Sequence, residues 1–175
     1  NAFCRIIKVQ NNRDYTREVR VFMHQVFQIS RDGRADTALF VPDGKYILDY
    51  KGRCSLLIYG QNCSGKAYDQ FAIGNYGIEG KEGTWRDAED GVLSKNSIEH
   101  GIVDSVISWT REVPANSSIT VYYFVAVGET YREVCELLEY ILSKGVEHLI
   151  ESTRDFWQAW VSQVPISFSG LSLKV

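Results

Sequence analysis

The acidic residues that are the best candidates for catalysis lie in one glycine-rich stretch, residues 80–91, with the sequence GKEGTWRDAEDG. Asp87, Glu89 and Asp90 place three carboxylates within four positions. A glycosidase uses two facing carboxyl groups, about 5–5.5 Å apart for retention and about 6.5–9.5 Å apart for inversion. In an extended chain, Asp87 and Glu89 would share one face and Asp90 would point away. General acid–base chemistry is therefore a hypothesis that must be considered for this stretch.

The same stretch contains the candidates for substrate contact, namely Trp85, Arg86 and Asp87. A tryptophan in a loop can stack on a sugar ring, and charged neighbours can bind hydroxyl groups. Two alternatives compete with these roles. Asp87 could pair with Arg86 or cap turn amides, as aspartates in tight loops usually do, and Trp85 could be buried beneath a sheet. We favour the alternatives and assign no catalytic residue.

The sequence contains no recognisable motif for binding a metal ion or a cofactor. The three histidines form neither an HxH nor an HExxH pattern, and the four cysteines form no CxxC pair. A GxSxG elbow and P-loop spacing are both absent. We therefore predict no metal and no cofactor, and we expect His24 to be a hydrogen-bonded strand residue. The residues concerned are His24, His100, His148, Cys4, Cys54, Cys63 and Cys135.

Composition indicates one globular domain. The chain has 175 residues, of which 45% are hydrophobic, enough for a full core. A net charge of −3 without a basic cluster argues against nucleic acid and anionic membranes as partners. Cys54 and Cys63 could bridge a hairpin, but strand-borne cysteines are more often reduced. Because no signal-peptide pattern is present, we expect a cytoplasmic location, although Asn1 implies that upstream residues were removed.

Alternating apolar residues predict a succession of β-strands. We expect the first two strands to form a long antiparallel hairpin around residues 11–14. We also expect the last two to pair around residues 114–116. The predicted strands are 2–10, 17–29, 37–41, 45–50, 54–59, 68–74, 103–113 and 118–127.

Two helices follow the strands. Thr130 and Glu133 form a capping box, and Gly145 is placed to end the first helix. The second helix should cover residues 146–163, with Pro165 ending it. Strands followed by helices predict a mainly β protein, an antiparallel sandwich of residues 1–128 with linker helices at 129–164 and a tail at 165–175. The linker helices would either pack on the sandwich or lead to a domain outside this chain. The predicted packing residues are Val134, Leu137, Leu138, Ile141 and Leu142, then Leu149, Ile150, Thr153, Phe156, Trp157 and Trp160.

Three segments carry a resemblance to a known family. They are GKEGTWRDAEDGVLSKNSIEHGIVDS at 80–105, REVRVFMHQ at 17–25 and FWQAWV at 156–161. In this order they resemble the amino-terminal domain of glycoside hydrolase family fifteen, which includes glucoamylases, glucodextranases and trehalases. The resemblance implies a super-sandwich-like β domain followed by helices that lead to a catalytic barrel of paired helices.

For function, the resemblance implies a non-catalytic domain of an enzyme that hydrolyses terminal α-glucosidic bonds with inversion, its catalytic carboxylates lying outside this chain. Its partners would be an α-glucoside, the catalytic barrel and, through uncovered edges, a second copy. Two alternatives remain open: a stand-alone carbohydrate-binding module, and an enzyme that uses the Asp87 cluster. The sequence does not decide which α-glucoside is the substrate.

Overall fold

The computed structural model describes residues 1–30 and 35–163. The predicted break at 32–34 and the predicted tail at 165–175 lie outside this part of the chain. The described residues form β1 (Ala2–Gln10), β2 (Arg17–Gln25), β3 (Asp36–Val41), β4 (Tyr46–Lys51), β5 (Cys54–Asn62), β6 (Gln70–Ile78), β7 (Lys81–Glu82), α1 (Thr84–Asp87), β8 (Ile98–Gly101), β9 (Val103–Val113), β10 (Ser118–Gly128), α2 (Tyr131–Lys144) and α3 (Val146–Ser162).

The strands form two antiparallel sheets. The larger sheet has the order β1-β10-β5-β4-β3-β8, and the smaller sheet has the order β2-β9-β6-β7. Large apolar side chains fill the space around and between them, including Trp109, Phe124, Ile47, Leu57 and Ile58, each fully buried. The predicted fold class is confirmed: the protein is a mainly β antiparallel sandwich followed by two helices.

The predicted hairpin of the first two strands is wrong. β1 pairs with β10 in the larger sheet, and β2 pairs with β9 in the smaller sheet. The chain crosses between the sheets at Asn11, a buried residue whose Nδ2 donates to the carbonyls of Tyr15, Val113 and Pro114 at 2.8–3.0 Å. Because these bonds fix the connection at the end of the sandwich, the strands separate instead of folding back on each other.

The predicted pairing of the last two strands is wrong for a related reason. β9 and β10 follow each other closely, but they lie in different sheets and the connection through Pro114 crosses the sandwich. β10 is an interior strand between β1 and β5. It is therefore covered by a sheet on one face and by α2 on the other, which explains its nearly continuous apolar sequence.

Helix α2 packs on the outer face of the larger sheet and buries Val134, Leu138 and Ile141. Its predicted ends are confirmed. Thr130 Oγ1 accepts from the Glu133 amide at 3.3 Å, and Gly145 ends the helix with a φ of 81°. Leu142, predicted to be in the packed face, is 40% exposed.

The disulfide considered for Cys54 and Cys63 is excluded by the topology. Cys54 begins β5 and Cys63 follows its last residue, so the two lie at opposite ends of one strand. Nine residues of strand separate their Cα atoms by roughly 30 Å, whereas a disulfide needs about 4.4–6.8 Å. Both cysteines are free thiols.

Candidate functional site

The glycine-rich stretch folds as a compact turn against the smaller sheet. Thr84–Asp87 form the single helical turn α1, directly after β7. The arrangement with Asp87 and Glu89 on one face applies only to an extended chain and does not occur here.

A buried carboxylate holds the turn in place. Asp104 on β9 is 2% exposed, and its Oδ2 accepts bonds from the Thr84 amide at 2.6 Å and from Thr84 Oγ1 at 2.8 Å. The same oxygen lies 2.8 Å from His24 Nε2 on β2. The prediction that His24 is a hydrogen-bonded strand residue is confirmed. Strands β2 and β9 and the turn α1 are thereby joined around one carboxylate.

The close approach of α1 to Asp104 requires a glycine at position 83. Gly83 has a φ of 103°, which residues with a side chain rarely adopt. A Cβ placed there would lie 2.8 Å from Asp104 Oδ2, closer than normal van der Waals contact. The glycine is thus needed for both its backbone conformation and its lack of a side chain.

Trp85 is not buried beneath the sheet, so that prediction is wrong. Its side chain is 47% exposed, because Thr84 occupies the inward position of the turn and the next residue points about 100° away. The indole Nε1 donates to the Glu82 carbonyl at 2.6 Å, and the Arg86 guanidinium carbon lies 5.6 Å from the ring centroid. The ring is fixed by local contacts and remains accessible.

The acidic side chains of the stretch serve the turn itself. Arg86 binds Glu82 at 3.0 Å and Glu89 at 2.7 Å. Asp87 Oδ2 accepts from the Ser94 amide at 2.8 Å, and Asp90 Oδ1 accepts from the Val92 amide at 2.8 Å. Capping of turn amides by Asp87 is confirmed. These carboxylates are engaged in ion pairs and caps instead of facing each other across a substrate gap.

A polar depression of about 390 Å³ lies between the stretch, β6 and the segment that leads into β8. Asn75 forms part of its floor; its Nδ2 donates to the His100 and Ile102 carbonyls at 3.3 Å, and its Oδ1 accepts from Lys81 at 3.1 Å. On the opposite wall, Asn96 Nδ2 donates to Glu99 Oε1 at 3.0 Å. Arg86 and Asp87 line this depression, whereas Trp85 does not.

A second surface feature is the aromatic face of α3, defined by Phe156, Trp157 and Trp160. The three side chains are 62%, 54% and 59% exposed. Their rings meet edge to face, with centroid distances of 5.5 Å and 5.7 Å. They were predicted to be packing residues, but within this chain they are largely uncovered; Phe156 borders a cavity that Phe3 of β1 and Leu137 of α2 also line.

A pair of buried acids, Asp36 and Asp49, was not predicted from the sequence. Asp36 is fully buried and Asp49 is 4% exposed, and one oxygen of each has no hydrogen-bond partner within the described residues. Burial, reinforced by the charge of Asp36, raises the pKa of Asp49 to about 7. Aspartate at inward positions of two otherwise apolar strands was the available signal.

Two further observations apply to residues 1–30 and 35–163. None of their helices combines the length and apolar character needed to cross a membrane. No three of their His, Cys, Asp and Glu side chains are grouped in a way that could hold a metal ion.

Comparison with known proteins finds similarity among solved structures. No family model matches the sequence, and neither does any curated protein. A solved structure of a bacterial glucoamylase in complex with acarbose is similar, with a TM-score of 0.61 and 11% sequence identity. The fold is glucoamylase-like. The match covers 81% of this chain but only 20% of the glucoamylase chain, so the protein spans about a fifth of that enzyme's length.

Proposed function

We propose that this chain is the non-catalytic, amino-terminal domain of a glucoamylase-like glycoside hydrolase. In this proposal the parent enzyme hydrolyses terminal α-glucosidic bonds with inversion, and both catalytic carboxyl groups lie in a helical barrel outside the chain. The shared fold with part of a bacterial glucoamylase and the three motif segments, in matching order, support the assignment.

The observation that carries the proposal is the aromatic face of α3. A surface tryptophan is costly to leave in water, and contiguous exposed apolar side chains usually mark an interaction surface. The first part of α3 is fixed to the sandwich, because Leu149 and Ile150 pack against its core. Phe156 borders a cavity beside Phe3 of β1 but stays exposed, and the later aromatic residues of the helix are exposed as well. The helix therefore extends beyond the sandwich with the geometry of a linker whose distal half binds another domain.

The proposed domain boundary follows from this arrangement. In this proposal the sandwich domain is residues 1–128, the linker region is residues 129–164 and the tail is residues 165–175. Helix α2 is the anchor of the linker, because its buried Val134, Leu138 and Ile141 fix it to the larger sheet. Helix α3 then carries the catalytic domain in a defined position relative to the sandwich.

The two alternatives have less support. An enzyme based on Asp87 would need that carboxylate free to act on a substrate, but one of its oxygens caps the Ser94 amide. A free-standing carbohydrate-binding module would have no use for an exposed aromatic helix face, which would promote aggregation.

The natural reading frame tests the proposal. The frame that encodes this chain should continue into a segment with the periodicity of paired helices and should contain two glutamates or aspartates placed for inversion. The complete protein, once expressed, should release glucose from an α-glucoside. A frame that ends shortly after the described helices, or that continues into an unrelated domain, would contradict the proposal.

A further inference from the structure

The polar depression beside α1 has the character of a ligand site. Its volume of about 390 Å³ falls in the range of roughly 300–1,000 Å³ that is typical of small-molecule pockets. Its lining comes from β6, β7, α1, β8 and the segment before β8, so several parts of the chain converge on it. Such convergence fixes polar groups in space before any ligand binds, which lowers the entropic cost of binding.

The walls are rigid because their polar groups are tied to buried parts of the fold. Asn75 is 8% exposed and is held by three hydrogen bonds. Thr84 is 3% exposed and is bonded twice to Asp104. Asn96 is anchored by the Ile73 carbonyl at 2.8 Å.

Several polar atoms in the lining remain available to a ligand. Among the described residues, Glu99 Oε2, Asn96 Oδ1 and Asp87 Oδ1 have no hydrogen-bond partner, although the other polar atoms of the same side chains do. Lys81 Nζ uses one of its three donors on Asn75. The depression therefore offers three acceptors and at least one strong donor.

This mixture of charges determines the class of ligand. The lining carries the carboxylates of Glu82, Asp87 and Glu99 and the cations of Lys81 and Arg86. Because Glu82 and Arg86 are paired at 3.0 Å, the remaining charges nearly cancel and a charged ligand gains little net attraction. A neutral hydroxylated molecule fits better, because each hydroxyl group can donate to a carboxylate and accept from an ammonium group. We propose that the depression binds a neutral saccharide.

Under the proposed function, on which this step rests, the saccharide is an α-linked glucose oligomer. The depression then acts as a secondary contact that holds the chain of the substrate on the accessory domain, away from the site of hydrolysis. Trp85 follows Thr84, which lines the depression, and its side chain is half-exposed. We therefore expect the environment of the Trp85 ring to change when a saccharide occupies the depression.

The test is an NMR titration of the ¹⁵N-labelled chain with maltotriose. We expect saturable shifts at the amides of Gly74, Asn96 and Glu99, with half-saturation on the order of 10 mM or below. Glu99→Gln should weaken binding at least about fivefold, because it replaces the free acceptor oxygen by a donor group. The matched control is Glu112→Gln at an exposed position of β9, which should bind like the unaltered chain.

Three outcomes would overturn the inference. They are the absence of saturable shifts with maltotriose, equal affinity in Glu99→Gln, and stronger shifts at the same amides with inorganic phosphate than with sugar. The spectrum of Glu99→Gln without ligand shows whether the variant is folded, so loss of binding is separated from loss of structure. None of these outcomes affects the proposed docking role of α3, which is tested through the reading frame.

Discussion

Asp49 should make the stability of the sandwich depend on pH in an unusual direction. Its carboxyl group is buried beside Asp36, and its pKa rises to about 7 from an ordinary value of 3.8, first because burial removes water and second because Asp36 is negatively charged. A raised pKa means that the folded state favours the protonated acid. Stability is therefore greatest below the unfolded-state pKa and decreases as pH rises through 7.

The magnitude follows from the size of the shift. Each unit of pH between the two pKa values costs about 1.4 kcal/mol of stability. Between pH 5.5 and pH 8, Asp49 should thus lower the free energy of unfolding by about 2 kcal/mol. Asp49→Asn keeps the size of the side chain but cannot ionise, so the variant should lack this decrease.

Urea unfolding followed by circular dichroism at pH 5.5 and pH 8 measures the effect. The gain in stability from Asp49→Asn should be larger at pH 8 by about 2 kcal/mol, a shift of roughly 1 M in the urea midpoint. Asp43→Asn, in the exposed turn between β3 and β4, is the matched control for the same chemical change at a surface site. If Asp49→Asn has the same effect at both pH values, the assignment of a buried acid with a raised pKa is wrong.

Three further predictions concern the turn around α1 and the face of α3. Gly83→Ala should destabilise the fold by about 1–3 kcal/mol more than Gly80→Ala, because both glycines have positive φ but only at position 83 would a Cβ meet Asp104; equal losses in thermal or urea melts would refute this contact. Trp109→Ala should cost about 3–5 kcal/mol, whereas Trp85→Ala should cost well under half as much because its side chain is 47% exposed; similar losses would show that Trp85 is buried. The chain should self-associate at micromolar concentration, and Trp160→Glu should weaken that association, as measured by sedimentation velocity. If the unaltered chain is monomeric, the aromatic face of α3 does not drive association.

Sequence patterns located most strands but not their partners. Alternation identifies β1, β9 and β10 because it reflects which side chains face a core. Pairing depends on contacts that are distant in sequence, such as the bonds between the Asn11 side chain and the carbonyls of Val113 and Pro114. No local pattern indicates that a turn crosses between two sheets, and for this reason both predicted hairpins were wrong.

The sequence drew attention to the glycine-rich stretch but not to the contacts that organise it. The glycine-rich stretch stood out through its composition, and the capping role of Asp87 follows from ordinary turn behaviour. The partner that organises the turn, Asp104, is twenty positions away from Thr84 on β9 and gives no signal of this role in the sequence. The aromatic residues of α3 were predicted to be packing residues because helical spacing does not distinguish an internal contact from an external one.

The measurement that tests the central claim most directly is glucose release by the purified chain from maltose, trehalose and soluble starch. An accessory domain without its own pair of inverting carboxylates should release no glucose above the buffer control, even over long incubation. Turnover by the purified chain that disappears in an Asp87→Asn variant, with the variant still folded by circular dichroism, would contradict this claim and assign catalysis to the glycine-rich stretch.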